Sequence, residues 1–267
     1  LIRLAIRVRR EEAELVLAEL LELAPSGVEE VDAGDELIEF AVYGPPGELP
    51  SLPDLQAAAG GALIEIHTEE IADDWAERWR EFHHPLTLGE RLTVRAPWHP
   101  AAQTELDVVI DPGQAFGTGA HATTRLCLEL MLEVPAMGSL MDLGCGSGVL
   151  AITAARLGYG PVIAVDNDRA SLEATGENAR RNQVEIDVRA HDLRFDQLPP
   201  ADTVVANLLT GLLLELASRI EPPTRLVASG LLVADTDAVG AAFAARGLVE
   251  RSRRVAGDWA ALALEGG

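Results

Sequence analysis

Two rhythms of apolar and polar positions run through the chain. Over residues 1–8, Leu4, Ile6 and Val8 alternate with Arg3, Arg7 and Arg9, the period-two signature of a strand. Residues 11–23 carry Glu12, Glu19 and Glu22 at helical spacing, with Leu15, Ala18 and Leu21 among the apolar positions, and predict a helix. Short strands follow near 27–32 and 36–43. Gly44-Pro45-Pro46-Gly47, with Pro50 and Pro53 beyond, reads as a loop. A short helix over 54–59 and a strand over 61–67 complete the order of a small ferredoxin-like α+β unit, assigned to residues 1–69. An acidic helix bearing Trp75 and Trp79 is predicted over 73–82. It ends at His83-His84-Pro85, because the residue before a proline is pushed out of the helical region. That helix and a lead-in strand near 91–96 make the linker, residues 70–95.

From residue 96 the rhythm changes. After a strand near 105–110, apolar strands over 138–143, 161–165, 202–206 and 225–229 alternate with helical stretches. The helices are read over 122–133, 148–157, 169–181, 208–219 and 236–246. Such alternation predicts a mostly parallel sheet with helices on both faces, here a Rossmann-like α/β domain over 96–267. Residues 247–255 and 258–264 are two strands joined by Ala256-Gly257-Asp258, a hairpin signal that makes the last of seven strands antiparallel.

Composition narrows the chemistry. The net charge is −22, and all 21 basic residues are Arg. Without Lys there is no P-loop lysine and no Schiff base. Residues 11–90 alone carry a balance of −19, which repels phosphate backbones and attracts a basic protein. Direct nucleic-acid binding is therefore not expected. No apolar run has the length of a membrane span, and residues 1–10 carry four Arg, so a cytoplasmic protein is expected. Cys127 and Cys145 have no metal or redox spacing, and the histidines show no ligand spacing; no metal is expected. A monomer is the default expectation.

Four segments carry candidate chemistry. Asp142-Leu143-Gly144-Cys145-Gly146-Ser147-Gly148 follows a predicted strand and opens a predicted helix. Glycines such as Gly144 and Gly146 let a ligand approach the backbone, and helix-start amides meet a carboxylate. A dinucleotide site wants a third glycine where Val149 stands. Asp166 ends the next apolar strand, where an acid accepts hydrogen bonds from ribose hydroxyls; Asp142 shares that carboxyl edge of the sheet. Alone, Asp166 reads equally well as a helix cap, since Asn167-Asp168 stand just before a helix. Asn207 follows strand 202–206. Its amide carbonyl suits a substrate amine, and Asn is also a favoured helix cap. The fourth segment is Asp111-Pro112-Gly113-Gln114-Ala115-Phe116-Gly117-Thr118-Gly119-Ala120-His121-Ala122-Thr123-Thr124. Phe116 offers a flat apolar face, Thr123 a hydroxyl near a helix start, and His121 a base or a loop anchor.

The D-x-G-x-G-x-G spacing resembles the nucleoside-binding turn of class I methyltransferases. Taken with the Asp111–Thr124 segment, Val204-Val205-Ala206-Asn207-Leu208-Leu209, Glu177-Asn178 and Gly257-Asp258-Trp259-Ala260-Ala261-Leu262, the chain resembles the methyltransferases that modify ribosomal large-subunit protein eleven. The resemblance covers roughly residues 70–265. It implies a small substrate-recognition domain, a flexible linker and a catalytic domain that uses S-adenosylmethionine and leaves S-adenosylhomocysteine. It implies transfer to lysine side chains and an N-terminal amine of a basic ribosomal protein. Carried over by motif, Thr123, Gly144, Asp166 and Asn207 become cofactor contacts, joined on the residue reading by Phe116, Asp142 and Gly146. Pro222-Pro223 and His83-His84 depart from the pattern. Two alternatives stay open at this point: a methyltransferase of another protein or small molecule, and a cofactor-binding ribosome-assembly partner without catalysis.

Overall fold

The computed structural model describes residues 2–24, 28–34, 36–44, 49–70, 84–111 and 121–266. The linker helix expected over 73–82 lies outside them. Backbone contacts divide the chain into two units, Leu1–Phe82 and His83–Gly267.

The first unit follows a β-α-β-β-α-β order: β1 (Ile2–Arg9), α1 (Ala13–Leu23), β2 (Glu29–Asp32), β3 (Leu37–Gly44), α2 (Leu52–Ala59) and β4 (Leu63–Glu70). The strands pair antiparallel in the order β2-β3-β1-β4, the ferredoxin-like arrangement. The buried stripe of α1 is Ala13, Val16, Leu17 and Leu20, spaced i, i+3, i+4, i+7; Leu15 lies off that stripe and is 69% exposed. Helix α2 begins earlier than its apolar pattern indicates. Ser51 caps it by accepting from Asp54 N, and Pro53 falls in the first turn, where a missing N–H costs nothing. On the sheet, cross-strand pairing sets Arg3 opposite Tyr43 and Arg7 opposite both Glu39 and Glu65. The Glu39 carboxylate consequently accepts from Arg3 Nη2 at 2.6 Å and Arg7 Nε at 2.7 Å.

The second unit holds two sheets. A small one joins β5 (Leu86–Leu88), β6 (Leu92–Arg95) and β7 (Leu106–Val109), with β6 parallel to β7. The strand read as a lead-in near 91–96 thus pairs inside this unit. The large sheet has seven strands: β8 (Leu140–Leu143), β9 (Val162–Asp166), β10 (Asp187–Ala190), β11 (Thr203–Asn207), β12 (Arg225–Leu232), β13 (Leu248–Ala256) and β14 (Trp259–Gly266). Their order is β10-β9-β8-β11-β12-β14-β13, parallel except for β14, which runs antiparallel to both neighbours. The helices are α3 (Ala122–Glu133), α4 (Val149–Leu157), α5 (Arg169–Arg181), α6 (Thr210–Arg219) and α7 (Thr236–Ala244).

Strand alternation sends side chains into two cores. Leu140, Val162, Ala164, Val205 and Val227 face one core with Leu126 and Leu130 of α3 and Ile152 of α4. Met141, Leu143, Ile163, Val165, Val204 and Leu226 face the other with Leu213 and Leu216 of α6 and Phe243 of α7. Each fully buried side chain of this size stabilises the fold by about 1.5–3 kcal/mol. Among the described residues no helix is long and apolar enough to cross a membrane, and no cluster of His, Cys, Asp or Glu is arranged for a metal.

Candidate cofactor and active site

Parity decides where the candidate residues meet. Asp142 shares its face with Leu140, Asp166 with Ala164, and Asn207 with Val205, so all three lie on the α3/α4 side of the sheet. Depth separates them. Asp142 stands opposite Ala164 and Val205, two residues short of Asp166 and Asn207. At about 3.3 Å per residue, Asp142 sits roughly 6–7 Å below the edge at which the other two end. It is 0% exposed, whereas Asp166 and Asn207 are half-buried at the rim.

Between β8 and α4 the chain turns through the glycine motif. Gly144 and Cys145 donate their N–H groups to Val165 O at 2.9 and 3.0 Å, which seats the turn on the end of β9. Gly144 has φ +72°, and a Cβ there would come 2.6 Å from Leu208 Cδ2. The residue is glycine because the turn after β11 packs onto it. Gly146 N donates to Asp166 Oδ2 and Asp168 N to Oδ1, both at 3.0 Å. The cap of α5 is Asp168, which accepts from Ala170 N and Ser171 N. Asp166 is therefore not the cap. Each of its oxygens keeps a second lone-pair direction for a further donor.

Asn207 is likewise not a cap: α6 starts after Leu209, which caps it with no side-chain bond. Asn207 Nδ2 donates to Thr124 Oγ1 at 3.3 Å. That bond ties the amide to the first turn of α3, with Oδ1 at its other end. Leu208 N donates to Ser229 O at 3.0 Å, and Gly230, at φ +82° where β12 shifts register, lets that strand touch the turn after β11; a Cβ on Gly230 would meet Leu208 O at 2.3 Å. Ser229 Oγ donates to Thr123 O at 3.0 Å, tying α3 to β12.

His121 caps α3. Its Nδ1 accepts from Thr123 N at 3.4 Å and lies 2.8 Å from Thr123 Oγ1, and its ring meets Trp259 edge-on at 5.1 Å. Burial lowers its pKa, so the ring is neutral at pH 7 and its Nδ1 is free to act as an acceptor. Thr123 is buried and its hydroxyl engages His121. Phe116 and the rest of residues 112–120 lie outside the described residues.

Several contributors escaped the sequence reading. Asn178 of α5 accepts from Asp111 N at 2.9 Å through Oδ1 and donates to Ser147 O at 3.0 Å through Nδ2. Thr175 Oγ1 donates to Gly146 O at 2.9 Å. Both hold the glycine turn from the helix side, and Glu177-Asn178 was singled out only as part of a resemblance. Strand β10 brings His191 to the same sheet edge, its N–H donating to Asp166 O at 2.9 Å. Gly230 had no signal, because its requirement comes from Leu208, far away in sequence.

Comparison with known proteins agrees with this geometry. The family described as ribosomal protein L11 methyltransferase (PrmA) matches residues 52–266. A ribosomal protein L11 methyltransferase of Symbiobacterium thermophilum is 40% identical over 197 residues, covering 71% of this chain and 65% of that protein. One from Azotobacter vinelandii is 41% identical over 201 residues, covering 72% of this chain and 68% of that protein. The chain thus spans about two thirds of the length of these relatives. The crystal structure of a ribosomal protein L11 methylase from Lactobacillus delbrueckii subsp. bulgaricus superposes with a TM-score of 0.59 at 28% identity, over 70% of this chain and 100% of that one. On sequence and fold together, the chain belongs to the ribosomal protein L11 methyltransferase family.

Proposed function

We propose that the protein is an S-adenosylmethionine-dependent N-methyltransferase acting on lysine side chains and the N-terminal amine of ribosomal large-subunit protein eleven. The observation that carries the reading is Asn207, held by its Nδ2 at Thr124 and set beside the glycine turn on the rim where Asp166 also ends. The residues suit the cofactor. Asp166 retains acceptor capacity for ribose hydroxyls, and Gly144 and Gly146, at φ +72° and +51°, shape the turn beside it. The family membership and the −19 balance of residues 11–90 support a basic protein as substrate.

When bound, S-adenosylmethionine supplies a methyl group already activated by its sulfonium. The chain's own work is to bring an amine to it in attacking form. A lysine amine with its ordinary pKa of about 10.4 must first shed a proton, and desolvation at the rim favours the neutral form. Asn207 Oδ1 accepts a hydrogen bond from that neutral amine and aims the nitrogen lone pair along the line of attack. An amide does this without adding a charge that would hold the amine protonated.

The test is incubation of the protein with labelled S-adenosylmethionine and total ribosomal protein. One labelled band at protein eleven is expected; a different band, or none, refutes the substrate assignment. Asn207→Ala should lower methyl transfer about 100-fold while changing cofactor affinity by less than about threefold. Equal loss of both would remove the orienting role.

A further inference from the structure

Asp142 is wholly buried, yet its Oδ1 has no hydrogen-bond partner among the described residues. Its Oδ2 accepts one bond, from Ala151 N in the first turn of α4 at 3.0 Å. No Arg or His pairs with it among the described residues. The ionisable groups coupled to it come from three elements: Asp166 at the end of β9 acts on it, and it acts in turn on Cys127 of α3 and Cys145 of the glycine turn. Burial drives both thiols upward, so they stay neutral, and Asp166 is the one charge among the three. A carboxylate in this position is thus desolvated, half-bonded and repelled. Burial pushes the Asp142 carboxyl up to about 7, the Ala151 N–H opposing and the Asp166 charge adding. Below about pH 7 the free protein thus holds a mostly neutral acid roughly 6–7 Å beneath the rim, with no cation paired to it among the described residues.

We propose that cofactor binding is coupled to ionisation of Asp142: the positive charge of the bound cofactor, its ammonium or its sulfonium, drives the proton off this acid. The inference rests on the cofactor reading above. The O–H bond of Asp142 breaks, the proton passes to solvent, and the carboxylate left behind faces a cation across a medium of low dielectric. Nothing is oxidised or reduced. The ammonium is common to S-adenosylmethionine and S-adenosylhomocysteine, but the sulfonium is lost on methyl transfer. If the sulfonium is the trigger, product formation returns the proton to Asp142 and weakens the hold on the product.

The proton is countable. Calorimetry with each compound, in buffers of different ionisation enthalpy, should show release of roughly 0.9 proton per cofactor near pH 6 and roughly 0.5 near pH 7, for a free-state value of about 7 and below the range in which the cofactor's own α-amine titrates. Apparent affinity should rise about fivefold over the same interval, following the ionised fraction. Release with both compounds assigns the trigger to the ammonium; release with S-adenosylmethionine alone assigns it to the sulfonium. Asp142→Asn should abolish the release, and release that persists in the variant overturns the proposal. Should that variant not fold, infrared difference spectra of the unaltered protein decide: the C=O band of a protonated carboxyl should vanish on cofactor addition near pH 6. Binding without proton release or band loss overturns the coupling and leaves the cofactor reading standing. No binding heat at any pH overturns both.

Discussion

Replacing Asn178 tests whether the glycine turn is held from the helix behind it. The side chain is 1% exposed and spans two segments, accepting from Asp111 N at 2.9 Å and donating to Ser147 O at 3.0 Å. Asn178→Ala strands both groups at once. A buried group left without its partner costs about 1–3 kcal/mol. Asp111 is only half-buried, so the loss should fall at about 2–4 kcal/mol, not at the full sum. Asn178→Asp is the sharper probe. It keeps the acceptor for Asp111 N but turns the donor into a second oxygen facing Ser147 O and, at 3.4 Å, Asp111 O. At pH 7 it should be no more stable than the alanine variant.

The aspartate of that variant should have a raised folded-state pKa, because only its protonated form can donate. The native state then binds more protons than the unfolded state above about pH 4, and the deficit grows as pH rises through the native pKa. Lowering the pH from about 7 to 5 should therefore recover part of the loss in Asn178→Asp and none in Asn178→Ala. Urea unfolding of the second unit, read at both pH values, measures this. Calorimetric cofactor affinity should fall in both variants, since Ser147 belongs to the turn. The reasoning is refuted if Asn178→Ala costs less than about 0.5 kcal/mol, or if the aspartate variant matches the unaltered protein at pH 7.

Two further substitutions probe other links. Gly230→Ala should cost about 1–2 kcal/mol for its left-handed backbone, plus displacement of Leu208, and should lower transfer more than cofactor binding in kinetic and calorimetric assays. Gly247→Ala, at φ +87° with open space around it, is its control and should carry the strain alone with activity kept. In the first unit, burial alone would raise the Glu39 carboxyl, but the hydrogen bonds from Arg3 and Arg7 outweigh it and hold it below its ordinary value. That stability is present above the unfolded pKa of about 4.3 and is lost as pH falls through the lower folded value. Glu39→Gln should destabilise the unit by about 1–3 kcal/mol at pH 7 and flatten its acid unfolding, read by circular dichroism.

What could be read in advance follows from how each element is stabilised. The apolar strands β8, β9, β11 and β12 are covered on both faces, so their sequences show continuous hydrophobic runs. The β13–β14 hairpin announces itself through Ala256-Gly257-Asp258. Strand β10 is Asp-Val-Arg-Ala at the edge of the sheet, exposed at three of its four positions, and leaves no hydrophobic mark. It forms because β9 offers it an open row of backbone groups. Strand β5, Leu86–Leu88, is too short to show a period and depends on β6 in the same way. The start of α2 was hidden by Pro53, which the loop reading took as a breaker and which a first helical turn accepts.

The site was legible to a different degree, for a reason that also separates its three polar residues. Sequence placed Asp142, Asp166 and Asn207 at strand ends, but strand ends in a staggered sheet do not lie at one depth. The pairing of Asp142 with Ala164 and Val205 sets it two residues lower than the other two. One pleat repeat is enough to change the chemistry. Asp166 at the rim stays half-buried and bonds two backbone amides. Asp142, on the same face, loses water altogether and keeps a single donor. Register, which no single-strand pattern contains, turns two equivalent-looking aspartates into a half-buried carboxylate at the rim and an interior acid. A shift of β8 by two residues toward its carboxyl end would bring Asp142 level with Asp166 and set two carboxylates side by side at the mouth of the turn. The fold avoids that repulsion by spending the first of them inside.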